Sequence, residues 1–115
     1  MKTLHLPLKA KWYEMIESRE KTEEYREIKP YWEKQFAKMV PVRYRSLWNE
    51  CIKKRDFSHF RHKVIASTYD FVKFSYGYTK RTMTFEIDSI TIGKGIPKWG
   101  APNEEVFIIK LGERV

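Results

Sequence analysis

The chain has 115 residues and a formal net charge of +8, which is the size of one ordinary domain and too short for two. Seven Phe, seven Tyr and four Trp can supply one hydrophobic core, so the many charged residues do not indicate disorder. No apolar run approaches the roughly 18–20 residues that span a bilayer, and the first residues lack the apolar centre of a signal peptide, so we expect a cytoplasmic protein with no membrane partner.

The positive charge is concentrated in the middle of the chain. Residues 28–63 contain ten basic and three acidic side chains, whereas the flanking parts are nearly balanced. The densest part of this basic extension consists of Lys53, Lys54, Arg55, Arg61 and Lys63. Such a block suits a polyanion, and it is equally typical of a helix face kept basic for solubility. The interleaved Phe57, Phe60 and Tyr69 favour RNA slightly, because aromatic rings can stack on bases.

The first elements alternate between strand and helix. Residues 2–6 predict a short strand, and Pro7 predicts a turn into a helix because its ring presets φ. Leu8, Trp12, Met15 and Ile16 recur at helical spacing, so residues 8–19 predict an amphipathic helix with Trp12 in the core.

A charged segment follows this helix directly. Residues 22–26 predict a strand with Thr22, Glu24 and Arg26 on one face and Glu23 and Tyr25 on the other. Charged side chains are uncommon in strands unless they face water or a ligand, so this segment is the first candidate for a functional site.

Two more helices are predicted between Pro30 and the basic extension. Apolar residues again follow helical spacing in two groups, first Trp32, Phe36, Met39 and Val40, and then Tyr44, Leu47, Trp48, Cys51 and Ile52. The spacing of Cys51 predicts a buried thiol, and a lone cysteine excludes an internal disulfide. Because His5, His59 and His62 have no ligand spacing, no metal site is predicted, and the absence of a Gly-rich phosphate loop predicts no cofactor.

The last third of the chain predicts strands. Residues 64–76 and 82–92 are rich in β-branched and aromatic residues and flank a turn at Gly77, which indicates a hairpin. A loop over residues 93–102 and a closing strand over residues 106–111 follow. Strands at both ends predict a single α+β domain over residues 1–115, whose sheet curls into a small barrel with flanking helices and a helical insertion at about 31–63.

Several of these segments together resemble the ASCH domain, a family of the PUA-like β-barrels. The resemblance rests on the early helix followed by Lys-Thr-x-Glu-x-Arg at 21–26, Val-Lys-Phe at 72–74 with its Gly-Tyr turn, and Phe-Ile-Ile-Lys-Leu at 107–111. It extends from His5 to Leu111 and is weak across residues 40–63. The family commonly has Gly before the Glu-Lys-Thr step, where this chain has Arg19.

The resemblance implies a cleft between the barrel and the first helix that binds RNA or a nucleotide. Lys21, Thr22, Glu24 and Arg26 would line this cleft, and Lys9 would reach it from the first helix. Lys73 and Tyr78 would come from the hairpin that resembles the second wall. The alternative for Lys21 is an exposed lysine at a helix end, and Glu24 with Arg26 can also be read as a surface salt bridge.

The resemblance also implies a second function, a small hydrolase acting on modified nucleosides or RNA. One branch of the family is similar to an amidohydrolase for acetylated cytidine that uses the motif's Lys, a Thr three residues later and a downstream carboxylate, and another is ribonuclease-like. This chain has Glu24 at the Thr position, and a carboxylate does not replace a hydroxyl nucleophile. Lys21 and Glu24 would be the catalytic pair if the protein is an enzyme, with Glu86 or Asp88 as the downstream carboxylate.

Overall fold

The computed structural model describes residues 3–37, 42–57 and 70–115. The elements in chain order are β1 (Thr3–Leu8), α1 (Ala10–Glu17), β2 (Glu23–Glu27), α2 (Pro30–Ala37), a 3₁₀ turn (Val42–Tyr44), α3 (Arg45–Lys54), β3 (Phe71–Tyr76), β4 (Thr82–Lys94), another 3₁₀ turn (Pro97–Trp99) and β5 (Glu105–Arg114). The three predicted helices and the hairpin of β3 and β4 are confirmed. The predicted strand at 64–76 is described only from Phe71 onward.

The strands form one curled, mixed sheet in the order β1-β3-β4-β5-β2. β1 runs parallel to β3, and the other neighbouring pairs are antiparallel. Register shifts in β4 on either side of Ile87 mark irregularities where the long strand can bend. The chain is therefore a small α+β domain, but the sheet stops at a half-barrel because β1 and β2 remain two separate edges.

The prediction that Pro7 turns the chain into a helix is wrong. Pro7 lies within β1, opposite Ser75 of β3, and α1 begins only at Ala10. Proline has no N–H to donate to a sheet, which confines it largely to edge strands. β1 is such an edge, so the strand continues through Pro7 and carries its carbonyl to the open side of the half-barrel.

The hydrophobic core lies between one face of the sheet and the three helices. α1 contributes Tyr13 and Ile16, and α2 and α3 contribute Phe36 and Trp48. Phe107 of β5 joins both later helices to the sheet, with its ring centre 4.5 Å from that of Phe36 and 6.0 Å from that of Trp48. Amphipathic helices of this length depend on such packing, since short isolated helices are marginal in water.

The prediction that Cys51 is a buried thiol is confirmed. Cys51 belongs to the same core cluster as Trp48 and is a free cysteine. Burial raises the pKa of the Cys51 thiol, and the nearby carboxylate of Asp56 adds to that effect. A raised thiol pKa reduces the fraction of reactive thiolate, so Cys51 is suited to a packing role in the core.

The end of α1 places the charged segment. Arg19 adopts a left-handed conformation with φ of 69°. Its N–H donates to Ile16 O at 3.0 Å, and the Lys21 N–H donates to Met15 O at 2.9 Å. This reversal ends the helix and points the chain into β2 with Lys21 turned inward.

The residues of the basic extension differ in their surroundings. Lys53 and Lys54 are exposed at the end of α3, whereas Arg55 donates to the buried carboxylate of Glu33 and to Ile28 O at 2.9 Å. Arg55 therefore ties α3 to α2 and is not a free surface cation. Among the interleaved aromatics, Phe57 is buried against Trp48, with ring centres 5.8 Å apart. Arg61, Lys63, Phe60 and Tyr69 lie outside the described residues.

Candidate functional site

A cavity of about 430 Å³ lies at the opening between the two edges of the half-barrel. Its walls come from the end of β1, the start of α1, strand β2 and the start of α2. The lining residues are Pro7, Leu8, Lys9, Trp12, Glu24, Tyr25, Arg26, Glu27, Lys29 and Trp32. A cleft therefore lies where pairing of β1 with β2 would close a full barrel. A long contact of 3.5 Å from Arg26 Nη2 to Pro7 O crosses it.

A buried trio of charges forms the inner wall of this cleft. The Glu24 carboxylate accepts from Lys21 Nζ at 2.8 Å through Oε1 and from Arg26 Nη1 at 2.6 Å through Oε2. The side chain of Lys21 is 1% exposed, that of Glu24 5% and that of Arg26 17%. Two cations share one carboxylate, so the trio keeps one formal positive charge next to the cavity. The alternative of an exposed lysine and a surface salt bridge is therefore wrong.

A smaller cavity of about 110 Å³ shares four of its lining residues with the cleft. Its other walls are Lys21, Trp99 and Gly100. Lys21 Nζ donates to Trp99 O at 2.6 Å, which holds the loop after β4 against the charged trio. Gly100 has φ of 97°, and a Cβ there would lie only 2.9 Å from the Trp12 ring, so this position requires glycine.

Tyr25 fixes the same loop from the other face of β2. Its hydroxyl donates to Glu23 Oε1 at 2.8 Å and accepts the Ile96 N–H at 3.0 Å. The tight approach of Gly95 leaves no room for a side chain, since a Cβ would lie 2.6 Å from the Tyr25 ring. Burial and the Glu23 carboxylate raise the pKa of Tyr25 above its ordinary range, so the hydroxyl stays a donor at neutral pH.

Two tryptophans line the cleft, and the sequence reasoning missed both as site residues. Trp12 and Trp32 are half-buried, and the helical spacing had placed Trp12 in the core. Lys21 Nζ lies 4.6 Å from the Trp12 ring centre, and the Arg26 guanidinium carbon lies 5.4 Å from that of Trp32. Lys29 and Glu27 at the cleft were also missed, as was the Trp99 carbonyl. A helical period signals partial burial but does not separate a core position from a cavity wall.

The predicted site residues fall into two groups. Lys9, Lys21, Glu24 and Arg26 line the two cavities. The others do not: Thr22 pairs with β5 through its carbonyl, Lys73 is half-exposed on β3, Tyr78 is 97% exposed at the hairpin turn, and Glu86 and Asp88 are exposed on β4. The hairpin therefore supplies no wall to either cavity through Lys73 or Tyr78, and Glu86 and Asp88 do not point inward.

Burial lowers the pKa of Lys21 from its ordinary value of 10.5, although the Glu24 carboxylate acts in the opposite direction. Between the lowered pKa and 10.5, the folded chain binds fewer protons at Lys21 than the unfolded chain does. The free energy of unfolding therefore gains a contribution that rises with pH through this window. In urea unfolding at increasing pH, we expect the free energy of unfolding of the unsubstituted protein to rise relative to that of Lys21→Met.

The matched control for this pH series is Lys80→Met, since Lys80 is exposed at the turn after β3. The difference between the unsubstituted protein and Lys80→Met should be nearly constant with pH. Parallel stability curves for the unsubstituted protein and Lys21→Met would contradict a buried Lys21 with a lowered pKa.

No protein-family model matches the chain, and comparisons with curated proteins and with solved structures give no match. No helix in the described ranges is long and apolar enough to cross a membrane. Within residues 3–37, 42–57 and 70–115 there is no group of three or more His, Cys, Asp or Glu side chains arranged to hold a metal ion.

Proposed function

We propose that the protein is an ASCH-type domain of the PUA-like class that binds a nucleotide, free or within RNA, in the cleft between β1, α1, β2 and α2. The observation that carries this proposal is the combination of two half-buried tryptophans with Lys9 and Arg26 around one cavity of about 430 Å³. The half-barrel and the position of the Lys21–Arg26 segment support the assignment. A cytoplasmic location remains a prediction from the sequence.

The size and chemistry of the cleft suit one nucleotide. Small-ligand sites typically have volumes of about 300–1,000 Å³, with apolar walls and a few polar groups that fix orientation. Trp12 and Trp32 give the cleft aromatic surface against which a base can pack, and Arg26 offers a planar donor to phosphate. A polymer would place one nucleotide here and run outward, and we expect its other phosphates to contact the exposed Lys53 and Lys54 at the end of α3.

Titration of the protein with uridine 5′-monophosphate and with a labelled single-stranded oligouridylate tests this function. We expect Trp32→Leu to weaken mononucleotide binding about tenfold, because stacking on one aromatic ring is worth roughly 1–3 kcal/mol per base. Neutralising Lys53 and Lys54 should leave mononucleotide binding unchanged and reduce the salt dependence of RNA binding, with a slope lower by about 1 for each phosphate that no longer meets a cation.

The control for Trp32→Leu is Tyr78→Ala, which removes a 97% exposed aromatic side chain that lines neither cavity. It should bind like the unsubstituted protein. Absence of binding to both ligands, or equal losses in the two variants, would overturn the proposed function.

A second candidate function is hydrolysis of a modified nucleoside or of RNA, and one observation favours it. The Lys21 amine, whose pKa burial lowers, lies with Glu24 in the wall of the small cavity next to the cleft. A desolvated amine beside a carboxylate is suited to general acid–base catalysis. If the protein is an enzyme, Lys21→Ala abolishes turnover of N-acylated nucleosides or RNA and leaves substrate binding largely intact, whereas in a pure binder no turnover is found in either form.

A further inference from the structure

The charges around the two cavities do not cancel. Among the described residues that line them, the cations are Lys9, Lys21, Arg26 and Lys29, and the carboxylates are Glu24 and Glu27. Lys29 and Glu27 form a pair of their own at 2.8 Å, and both side chains are more than half exposed. Apart from this pair, the lining of the two cavities holds three formal positive charges, on Lys9, Lys21 and Arg26, against the single carboxylate of Glu24.

Two of these cations keep donors for a ligand. Arg26 uses Nη1 for Glu24 and for Tyr25 O, at 2.6 Å and 2.7 Å, while the contact of Nη2 with Pro7 O is long at 3.5 Å. A guanidinium has five N–H groups, so donors remain on Nη2 and Nε. Lys9 is exposed at the cleft and has no carboxylate partner within the described part of the chain.

A surplus of two positive charges matches a terminal phosphate group better than it matches a phosphate inside a nucleic-acid strand. A phosphomonoester carries about −1.5 to −2 charges at pH 7, since its second pKa is near 6. A phosphodiester linkage carries one negative charge. In a partly desolvated site, each unmatched charge is costly, so charge matching gives discrimination as well as affinity.

We propose that the cleft selects a nucleotide with a terminal phosphomonoester, which Arg26 and Lys9 bind while the base stacks against Trp32 or Trp12. This inference rests on the proposed nucleotide-binding function and adds the class of ligand. The shared chemistry has two sources, a free nucleoside monophosphate and a phosphorylated end of RNA. Glu24 positions Arg26 through one ion pair and is itself held by a second ion pair with Lys21.

Calorimetric titration at constant ionic strength tests the preference for a phosphomonoester and distinguishes a free nucleoside monophosphate from a phosphorylated RNA end. It uses four kinds of probe. The probes are uridine, uridine 5′-monophosphate, its phosphate methyl ester, and short oligouridylates with and without a 5′ phosphate. We expect uridine 5′-monophosphate to bind about tenfold more tightly than the methyl ester, which has the same base and sugar but one charge fewer. A 5′ phosphate should improve oligouridylate binding in the same way if RNA ends are the source, and weaker oligouridylate binding overall would assign the site to free mononucleotides.

The variants Lys9→Gln and Lys80→Gln provide the internal comparison. Lys9→Gln should reduce the preference for the monophosphate over its methyl ester at least about threefold, because it removes one of the two phosphate-binding cations. Lys80→Gln makes the same change of charge outside both cavities and should leave the preference unchanged. Equal binding of the monophosphate, the methyl ester and uridine would overturn this inference while leaving nucleotide binding intact. Binding of none of the probes would overturn the proposed function itself.

Discussion

Glu24→Ala is expected to lower the free energy of unfolding by about 3–5 kcal/mol, because removing one partner of a buried ion pair leaves an uncompensated buried charge. Glu24 is the shared partner of Lys21 and Arg26, and its side chain is 5% exposed. After the substitution, two cations lie side by side at the base of the cleft without their carboxylate. Urea denaturation monitored by circular dichroism measures the loss.

Two further variants calibrate this result. Glu20→Ala removes an exposed carboxylate four residues earlier and should change stability by no more than about 0.5 kcal/mol. Glu24→Gln keeps the shape and one oxygen acceptor, so its cost should fall between those of the two alanine variants. A Glu24→Ala protein within about 1 kcal/mol of the unsubstituted one, as for an exposed ion pair, would show that water reaches the trio.

Phe107→Ala is expected to cost about 3–5 kcal/mol, the range for deleting a buried aromatic side chain from a core. Phe107 is fully buried and contacts Phe36 of α2 and Trp48 of α3. Both helices are short, with 8 and 10 residues, and depend on this contact for their place on the sheet. Since α2 carries Trp32 to the cleft, nucleotide binding should weaken together with stability.

Hydrogen exchange locates this effect. In Phe107→Ala, amides of α2 and α3 should lose protection before those of β3 and β4, because the helices lose their anchor while the strands keep their ladder. Ile108→Ala, on the opposite face of β5, is half-buried in the smaller cluster with Tyr25 and should leave exchange in α2 and α3 unchanged. Uniform loss of protection throughout the chain in Phe107→Ala would contradict a local anchoring role.

The helices and most strands could be predicted because their side-chain periods record which face is buried. The same signal failed for Trp12, since a half-buried position on a cavity wall and a core position have the same spacing. It also failed for Pro7, because a proline tolerated in an edge strand looks like a turn signal until the neighbours of that strand are known. Whether the sheet closes is a question of pairing between β1 and β2, which local sequence does not encode.

The charged site was only partly predictable, because some of its side chains have partners that are distant in the sequence. Glu24 and Arg26 are two residues apart in one strand, so their pairing follows from local geometry. The burial of Lys21 depends on the Trp99 carbonyl, 78 residues away, and the ion pair of Arg55 depends on Glu33, 22 residues away. Counting charges along the chain gives the excess but not the partners, and those partners decide which cations remain for a ligand.

The indole N–H signals of the four tryptophans offer the most direct test of the cleft. A ¹H–¹⁵N titration with uridine 5′-monophosphate should shift the signals of Trp12 and Trp32, which line the cleft, because a stacked base changes their magnetic environment. The signal of Trp48, which is 1% exposed in the core, should stay in place. Saturable shifts confined to Trp12, Trp32 and the adjoining Trp99 are the predicted result. Unchanged Trp12 and Trp32 signals at saturating nucleotide would contradict nucleotide binding in this cleft.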